Sequence, residues 1–356
     1  MEKTTGPSPY IISFTPAGNA LGRRLAREIP GASFWVPIVC HPNYPEAQSF
    51  AGFGALMTQA FEEKHPLICI MATGIVIRHL CPLLQGKDTD PPVVVVDEGG
   101  RFAISLISGH LGGANKLAHT VAKLLGATPV ITTATDVQGL PALDVLAPRM
   151  GLHLENLQAV KEVNMALLRG QKVILVDSEH LLQEVLSDSQ NLFEPVAETL
   201  DVLQKPGPAV YVGNREYPWP EGWLRLRPRN LMVGVGCNQG TPAAEILELL
   251  ENTFQQHQLS WHSFHTLATI AAKKDEPGLK AVVGQLGVNF TWYTKEELQP
   301  IQVPNPSALV ERHMGVASVC EAAALKTAAT KTLLVPKQKS PNVTLAVAQV
   351  CCPLSV

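Results

Sequence analysis

The chain is short of several things. Its 356 residues include only seven cysteines, Cys40, Cys69, Cys81, Cys237, Cys320, Cys351 and Cys352, an odd number without a C-x-x-C pair. That pattern predicts a reduced, cytoplasmic protein. Charge is scarce at 17%, and the net value of −3 lacks the basic excess of a dedicated nucleic-acid binder. Long apolar runs are missing too. The richest window, "LICIMATGIVIRHLCPLL", meets Arg78 and His79 before the roughly 20 apolar residues that span a bilayer. The opening "MEKTTGPSPYIISF" has no apolar core of signal-peptide length. No membrane and no nucleic-acid partner is expected.

Familiar motifs are also lacking. There is no phosphate-loop lysine signature, no G-x-S-x-G elbow and no H-E-x-x-H helix. In "GVGCNQG", Gly234 and Gly236 give G-x-G, but the next glycine, Gly240, falls one position late for a dinucleotide fingerprint. His262 and His265 in "WHSFH" lack an acidic or cysteine partner nearby, so they predict no metal centre. Ser108 and His110 are neighbours, which by itself makes no triad.

What is present is a core-forming chain, 46% hydrophobic, large enough for two or three domains. Short β-branched runs alternate with helical patterns: "YIISF" before "ALGRRLAREI", "LICIMAT" before "GIVIRHLCPLL", "FAISLIS" before "NKLAHTVAKLLG". This alternation predicts an α/β fold of glycine-rich β-loop-α units around largely parallel or mixed sheets. "VVVVDEGGRFAISLI" predicts a hairpin turning at Glu98, Gly99 and Gly100. The proline-rich "NREYPWPEGWLRLRPRN" reads as a boundary. Three domains result: 1–139, 140–227 and 228–356. In the last, Thr241 is expected to cap the helix after "GVGCNQG", with Pro242 at its first position.

Four loops punctuate predicted strands: Thr73-Gly74, Gly109 to Gly113 (with Gly112, and with Asn115 and Lys116 following), Thr132 to Asp136 (with Thr133), and Gly234 to Thr241 (with Cys237 and Gly240). Helix starts at strand ends present amides to anions, so a carboxylate or phosphate ligand fits. Tight packing accounts for the glycines of any one loop; four together point to a ligand. Cys237 has no base paired to it in sequence and reads as packed rather than nucleophilic. Glu98, after four valines, suits either proton transfer or turn chemistry. Lys337 and Lys339 in "VPKQKS" are expected on one face of an extended segment, either solvated or holding an acidic ligand.

Longer stretches carry a resemblance. "MATGIVIRHLCPLLQGKDTDPPVVVVDEGGRFAISLISGHLGGANKLAHTVAKLLGATPVITTATD", with "GVGCNQGT", "LATIAAKKDEPGL", "VPNPSALVERHMGVASVCEAAAL" and "LLVPKQKSPNVTLAVA", resembles the CbiG family, the cobalt-precorrin-5A hydrolases of anaerobic cobalamin biosynthesis. The likeness is close over residues 67–136 and 231–350 and weaker elsewhere. The C-terminal region, expected to form an α/β domain, also resembles CobE.

The resemblance implies a hydrolase for a cobalt tetrapyrrole. It opens the δ-lactone that joins the ring A acetate to the methylated meso carbon, and that carbon leaves as acetaldehyde to give cobalt-precorrin-5B. The cobalt belongs to the substrate, so no cofactor is expected. Other cobalamin-pathway enzymes are further candidate partners. The glycine-loop amides, Arg78, Lys116, Lys337 and Lys339 are then candidates for the macrocycle's carboxylates. Amides near Gly112 and Gly113 suit the oxyanion. His110 is the first candidate acid or base, and Glu98 the second. The alternatives are a non-catalytic tetrapyrrole-binding or channelling protein, and an unrelated sugar- or nucleotide-phosphate enzyme.

Overall fold

A computed structural model describes residues 7–86, 89–110 and 112–350. Cys351 and Cys352 lie outside the described residues. The chain forms two compact units, Met1–Val145 and Leu146–Val356, and is an α/β protein with mixed, largely parallel sheets.

In the first unit the strands are β1 (Tyr10–Ser13), β2 (Ser33–Pro37), β3 (Gln48–Phe50), β4 (Leu67–Ile70), β5 (Val93–Val96), β6 (Phe102–Ile107) and β7 (Thr128–Val130). They form one sheet in the order β3-β2-β1-β4-β5-β6-β7. The helices are α1 (Pro16–Glu28), α2 (Phe53–Glu62), α3 (Thr73–Leu80), α4 (Ala114–Leu125), the short α5 (Ala134–Val137) and α6 (Leu143–Arg149), within which the unit ends. Strand alternation sorts the core onto two faces. Tyr10, Ile12, Leu67 and Cys69 meet Leu56, Met57 and Val76 of α2 and α3. Ile11, Ile68 and Ile70 meet Leu25, Ala118 and Val121 of α1 and α4.

The valine run becomes β5, and the expected hairpin forms, with Val93 opposite Ile107 and Val96 opposite Ala103. Asp97 closes the turn by accepting the amides of Arg101 at 2.8 Å and Phe102 at 2.7 Å. This hairpin reverses the sheet. β1 to β5 run in one direction, while β6 and its parallel neighbour β7 run in the other.

The second unit holds two sheets. One contains β8 (Leu152–Leu154), β9 (Val173–Asp177), β10 (Phe193–Pro195), β11 (Ala209–Val212) and β12 (Leu224–Pro228), in the order β10-β9-β11-β12-β8, with α7 (Leu157–Leu168) packed against it. The stretch read from sequence as a boundary leads from this sheet to the next, and several of its residues are packed inside. Trp219, Trp223 and Arg227 are buried and β12 pairs with β11 and β8, because Leu224 and Leu226 supply a strand's apolar side and Arg225 and Arg227 both pair with Glu155.

The other sheet contains β13 (Leu231–Cys237), β14 (Phe264–Ile270), β15 (Asn289–Tyr293), β16 (Leu333–Lys339) and β17 (Val343–Gln349), in the order β15-β14-β13-β17-β16. Its helices are α8 (Ala243–Gln256), α9 (Pro277–Leu286), α10 (Lys295–Leu298), α11 (Ala308–Met314) and α12 (Val319–Ala328). Val233 and Val235 pack with α8 and α9, whereas Met232 packs with α12, so these helices cover opposite faces. Among the described residues no helix is long and apolar enough to cross a membrane.

Candidate active site

The loop 108–113 joins β6 to α4, and local crowding explains its glycines. A Cβ on Gly112 would lie 2.3 Å from the Ser108 Cβ, and one on Gly109 would lie 2.8 Å from Asn115 Oδ1. Gly113 has φ +86°, and Ser108 itself is left-handed at φ +56°. The loop's helix-start amides turn inward. Gly113 donates to the His110 carbonyl at 2.9 Å, Ala114 to Ser108 at 3.0 Å and Asn115 to Gly109 at 3.0 Å. Of the two amides expected to suit an oxyanion, Gly112 and Gly113, that of Gly113 is already accepted by a carbonyl of its own loop.

What this winding does is aim side chains. Asn115 Oδ1 accepts from the Ser105 hydroxyl at 2.6 Å, and its amide nitrogen donates to Thr133 Oγ1 at 3.2 Å and to Asp136 Oδ2 at 3.0 Å. His110 Nε2 lies 2.6 Å from the same Asp136 oxygen and 3.2 Å from Thr135 Oγ1. On the ring's other side, Nδ1 lies 3.9 Å from Asp144 Oδ2. The side chains are graded in exposure, 38% for Asp136, 15% for His110 and 8% for Asp144. Asp144 Oδ1 and the Ser108 hydroxyl are buried without a partner among the described residues. Buried polar atoms left in that state are uncommon and mark a site worth explaining. Lys116 is exposed in the first turn of α4.

From the sequence, His110, Asn115 and Thr133 are candidates and the 132–136 loop ends in Asp136, but the parts played by Asp136, Thr135, Ser105 and Asp144 are not evident there. Asp136 was legible as the one acid in the "TTATD" loop. Asp144 gave no signal, because only the fold carries α6 back to His110.

The other predicted residues lie elsewhere. Thr73 and Gly74 open α3 and exposed Arg78 lies within it, at the carboxyl end of β4, near the hairpin turn that bears exposed Glu98. That edge is separated from the 108–113 loop by the length of β6, four residue steps from Ala103 to Ile107, about 13 Å at strand rise. The antiparallel turn of β6 thus puts the Thr73-Gly74 loop and the 108–113 loop at opposite edges of the sheet. Arg78 donates to the Gly74 carbonyl at 3.1 Å, and Glu98 does not join His110.

In the second unit the amide of Gly240 donates to Glu276 Oε2 at 3.0 Å, and that of Asn238 to the Asn342 carbonyl at 2.9 Å. Thr241 does not cap α8. Its hydroxyl donates to the Asn238 carbonyl at 2.8 Å, and Pro242 is the N-cap. Gly234 serves packing, since a Cβ there would fall 1.9 Å from the Cys320 carbonyl oxygen. Burial pushes the Cys237 thiol up to about 11, away from nucleophilic use. His262 stacks on His153, and His265 bonds Thr266 at 2.7 Å.

The two lysines do not share a face. A register shift between Val335 and Gln338 breaks the alternation of β16. Lys337 turns to the α12 side, its amide donating to Glu321 Oε1 at 3.1 Å and its Nζ to the Asn305 carbonyl at 2.5 Å. Lys339 instead lines a hollow with Glu245 and Glu248 of α8.

Three family models match the chain: Cobalamin synthesis G N-terminal over residues 55–136, Cobalamin biosynthesis central region over 141–228, and Cobalamin synthesis G C-terminus over 231–348. A cobalt-precorrin-5A hydrolase of Priestia megaterium is 33% identical over 353 residues, 95% of this chain and 94% of the relative. The chain belongs to the CbiG family. A second relative, a cobalt-precorrin-5A hydrolase of Salmonella typhimurium, is 36% identical over 330 residues, 91% of this chain and 93% of its own. Protein CobE of Sinorhizobium sp. is 30% identical over 121 residues, 33% of this chain and 79% of its own. The CbiG N-terminal match includes His110, Asn115, Thr133 and Asp136, and the central match includes Asp144.

Proposed function

We propose that this CbiG protein is a cobalt-precorrin-5A hydrolase, acting on a cobalt tetrapyrrole in cobalamin biosynthesis. The observation that carries this reading is 33% and 36% identity, over nearly the full length of both chains, to two hydrolases of that name. The polar cluster around His110 supplies what the chemistry requires. Water adds to the lactone carbonyl, the acyl C–O bond breaks, and the released alkoxide takes a proton. Cleavage of the meso carbon follows when the freed alcohol loses its proton. The meso carbon then departs with its methyl as acetaldehyde, the bond electrons pass into the macrocycle, and the macrocycle takes up a proton in its place. Exposed Lys116 beside the cluster suits a peripheral carboxylate, as a point charge.

The cobalt arrives with the substrate, and the protein requires no metal or organic cofactor of its own. Residues 1–139, 140–227 and 228–356 act as three domains, the setting is the cytoplasm, and the product passes to other enzymes of the pathway.

The test is acetaldehyde release from cobalt-precorrin-5A by the purified protein, with and without prior chelation. Release at equal rates is expected. Tight binding of the corrinoid without acetaldehyde would favour a carrier instead.

A further inference from the structure

Resting on that reading, we infer that Asp136 is the catalytic residue that meets the substrate, and that His110 and Asp144 are positioning residues behind it. Both nitrogens of the His110 ring already face carboxylates, Nε2 at 2.6 Å from Asp136 and Nδ1 at 3.9 Å from Asp144. A substrate atom reaches Nε2 only by displacing Asp136, while Nδ1 faces the nearly buried Asp144 from beyond hydrogen-bond distance. Asp136 is the outermost of the three, at 38% side-chain exposure against 15% and 8%.

Its two oxygens also differ. Oδ2 takes both protein contacts, from His110 and from the Asn115 amide at 3.0 Å. Oδ1 has no hydrogen-bond partner among the described residues. Two contacts on one oxygen fix the rotamer and leave the other for a ligand. Behind the ring, nearly buried Asp144 turns Oδ2 towards Nδ1 while its Oδ1 has no partner among the described residues, a costly arrangement that keeps a second carboxylate beside the imidazole.

In the reaction, Asp136 Oδ1 takes one proton from the attacking water as its oxygen bonds the acyl carbon and the carbonyl electron pair moves to oxygen. When the tetrahedral species collapses, the acyl C–O bond breaks and Asp136 returns that proton to the departing alkoxide. The carboxylate is regenerated, and one water has been added across the lactone.

Substitutions separate this from proton transfer by His110. A glutamine at 110 can donate to Asp136 from nearly the place of Nε2 but cannot shuttle a proton. Asp136→Asn should lower kcat for acetaldehyde release by about 10²- to 10⁴-fold, with corrinoid affinity kept. His110→Gln should stay within about tenfold of wild type and well above His110→Ala. Undiminished release by Asp136→Asn, or His110→Gln as inactive as His110→Ala, would overturn the inference. The His110 pair decides the matter even should an Asp136 variant fold poorly. No acetaldehyde from the wild type would instead remove the proposed activity, and this assignment with it.

Discussion

Arg227 Nε donates to Glu155 Oε2 at 2.5 Å, and the arginine side chain is wholly buried. The same guanidinium donates to the carbonyls of Gly213 at 3.2 Å and Arg215 at 2.7 Å, and to Glu216 at 2.9 Å. It thereby ties β12 to the turn after β11. Removing one member of a buried pair strands the other, so Glu155→Ala should cost about 3 kcal/mol in urea unfolding. A change under 0.5 kcal/mol would mean that Glu216 alone satisfies Arg227.

Stability should also depend on pH through Glu155. Burial pushes its carboxyl up, but the hydrogen bond and charge of Arg227, joined by Arg225, outweigh burial and hold it below the ordinary 4.5. A depressed folded value means that the stabilisation is present above about pH 4.5 and lost as pH falls through the lower folded value. Between pH 6 and pH 3, wild type should therefore lose more stability than Glu155→Gln. Parallel curves for the two proteins would refute this.

Gly234→Ala should destabilise by about 3 kcal/mol, because the added carbon would meet the Cys320 carbonyl at 1.9 Å, backbone against backbone. Gly236→Ala should cost less, as its nearest neighbour is the Thr344 hydroxyl at 3.0 Å. Thermal melts of both variants rank them directly.

Thiol labelling at pH 8 should reach exposed Cys81 before Cys237, whose thiol is held up near 11 by burial, with Glu276 adding and Lys273 opposing. Peptide mapping reads the order. Cys237→Ala should leave acetaldehyde release within about twofold of wild type, a margin set by the lack of thiolate at that pH.

The two lysines should separate in assay. Lys337→Ala loses the bond that holds the Asn305 carbonyl and should lower stability by about 1 kcal/mol. Lys339→Ala should leave the melt unchanged and raise KM for the polycarboxylate substrate. Equal effects from both would contradict the split made by the β16 bulge.

Period and turn chemistry made much of the fold legible. "VVVVDEGGRFAISLI" spells two strands and their turn, and "NKLAHTVAKLLG" gives α4 ending at left-handed Gly126. The direction of β6 within its sheet is a matter of pairing rather than of local pattern, so loops that looked alike in sequence fell on different edges. The 214–230 stretch lies where one sheet ends at β12 and the next begins at β13, but its prolines and arginines give no sign that Trp219, Trp223 and Arg227 are buried against partners distant in the chain. At the site, His110 stood out through its glycines, whereas Asp144, thirty-four positions on, had only an ordinary helical context.

The reversed strand β6 also makes the first unit modular. Loops at the α3 edge and loops at the His110 edge hang from opposite ends of the same strands, so either set can be lengthened, shortened or exchanged while the other keeps its anchors. A chimera that replaces the α3-edge loops with those of a relative should alter what the protein accepts there and still present His110 and Asp136 unchanged. In a chain built this way, recognition and chemistry are free to diversify at different rates.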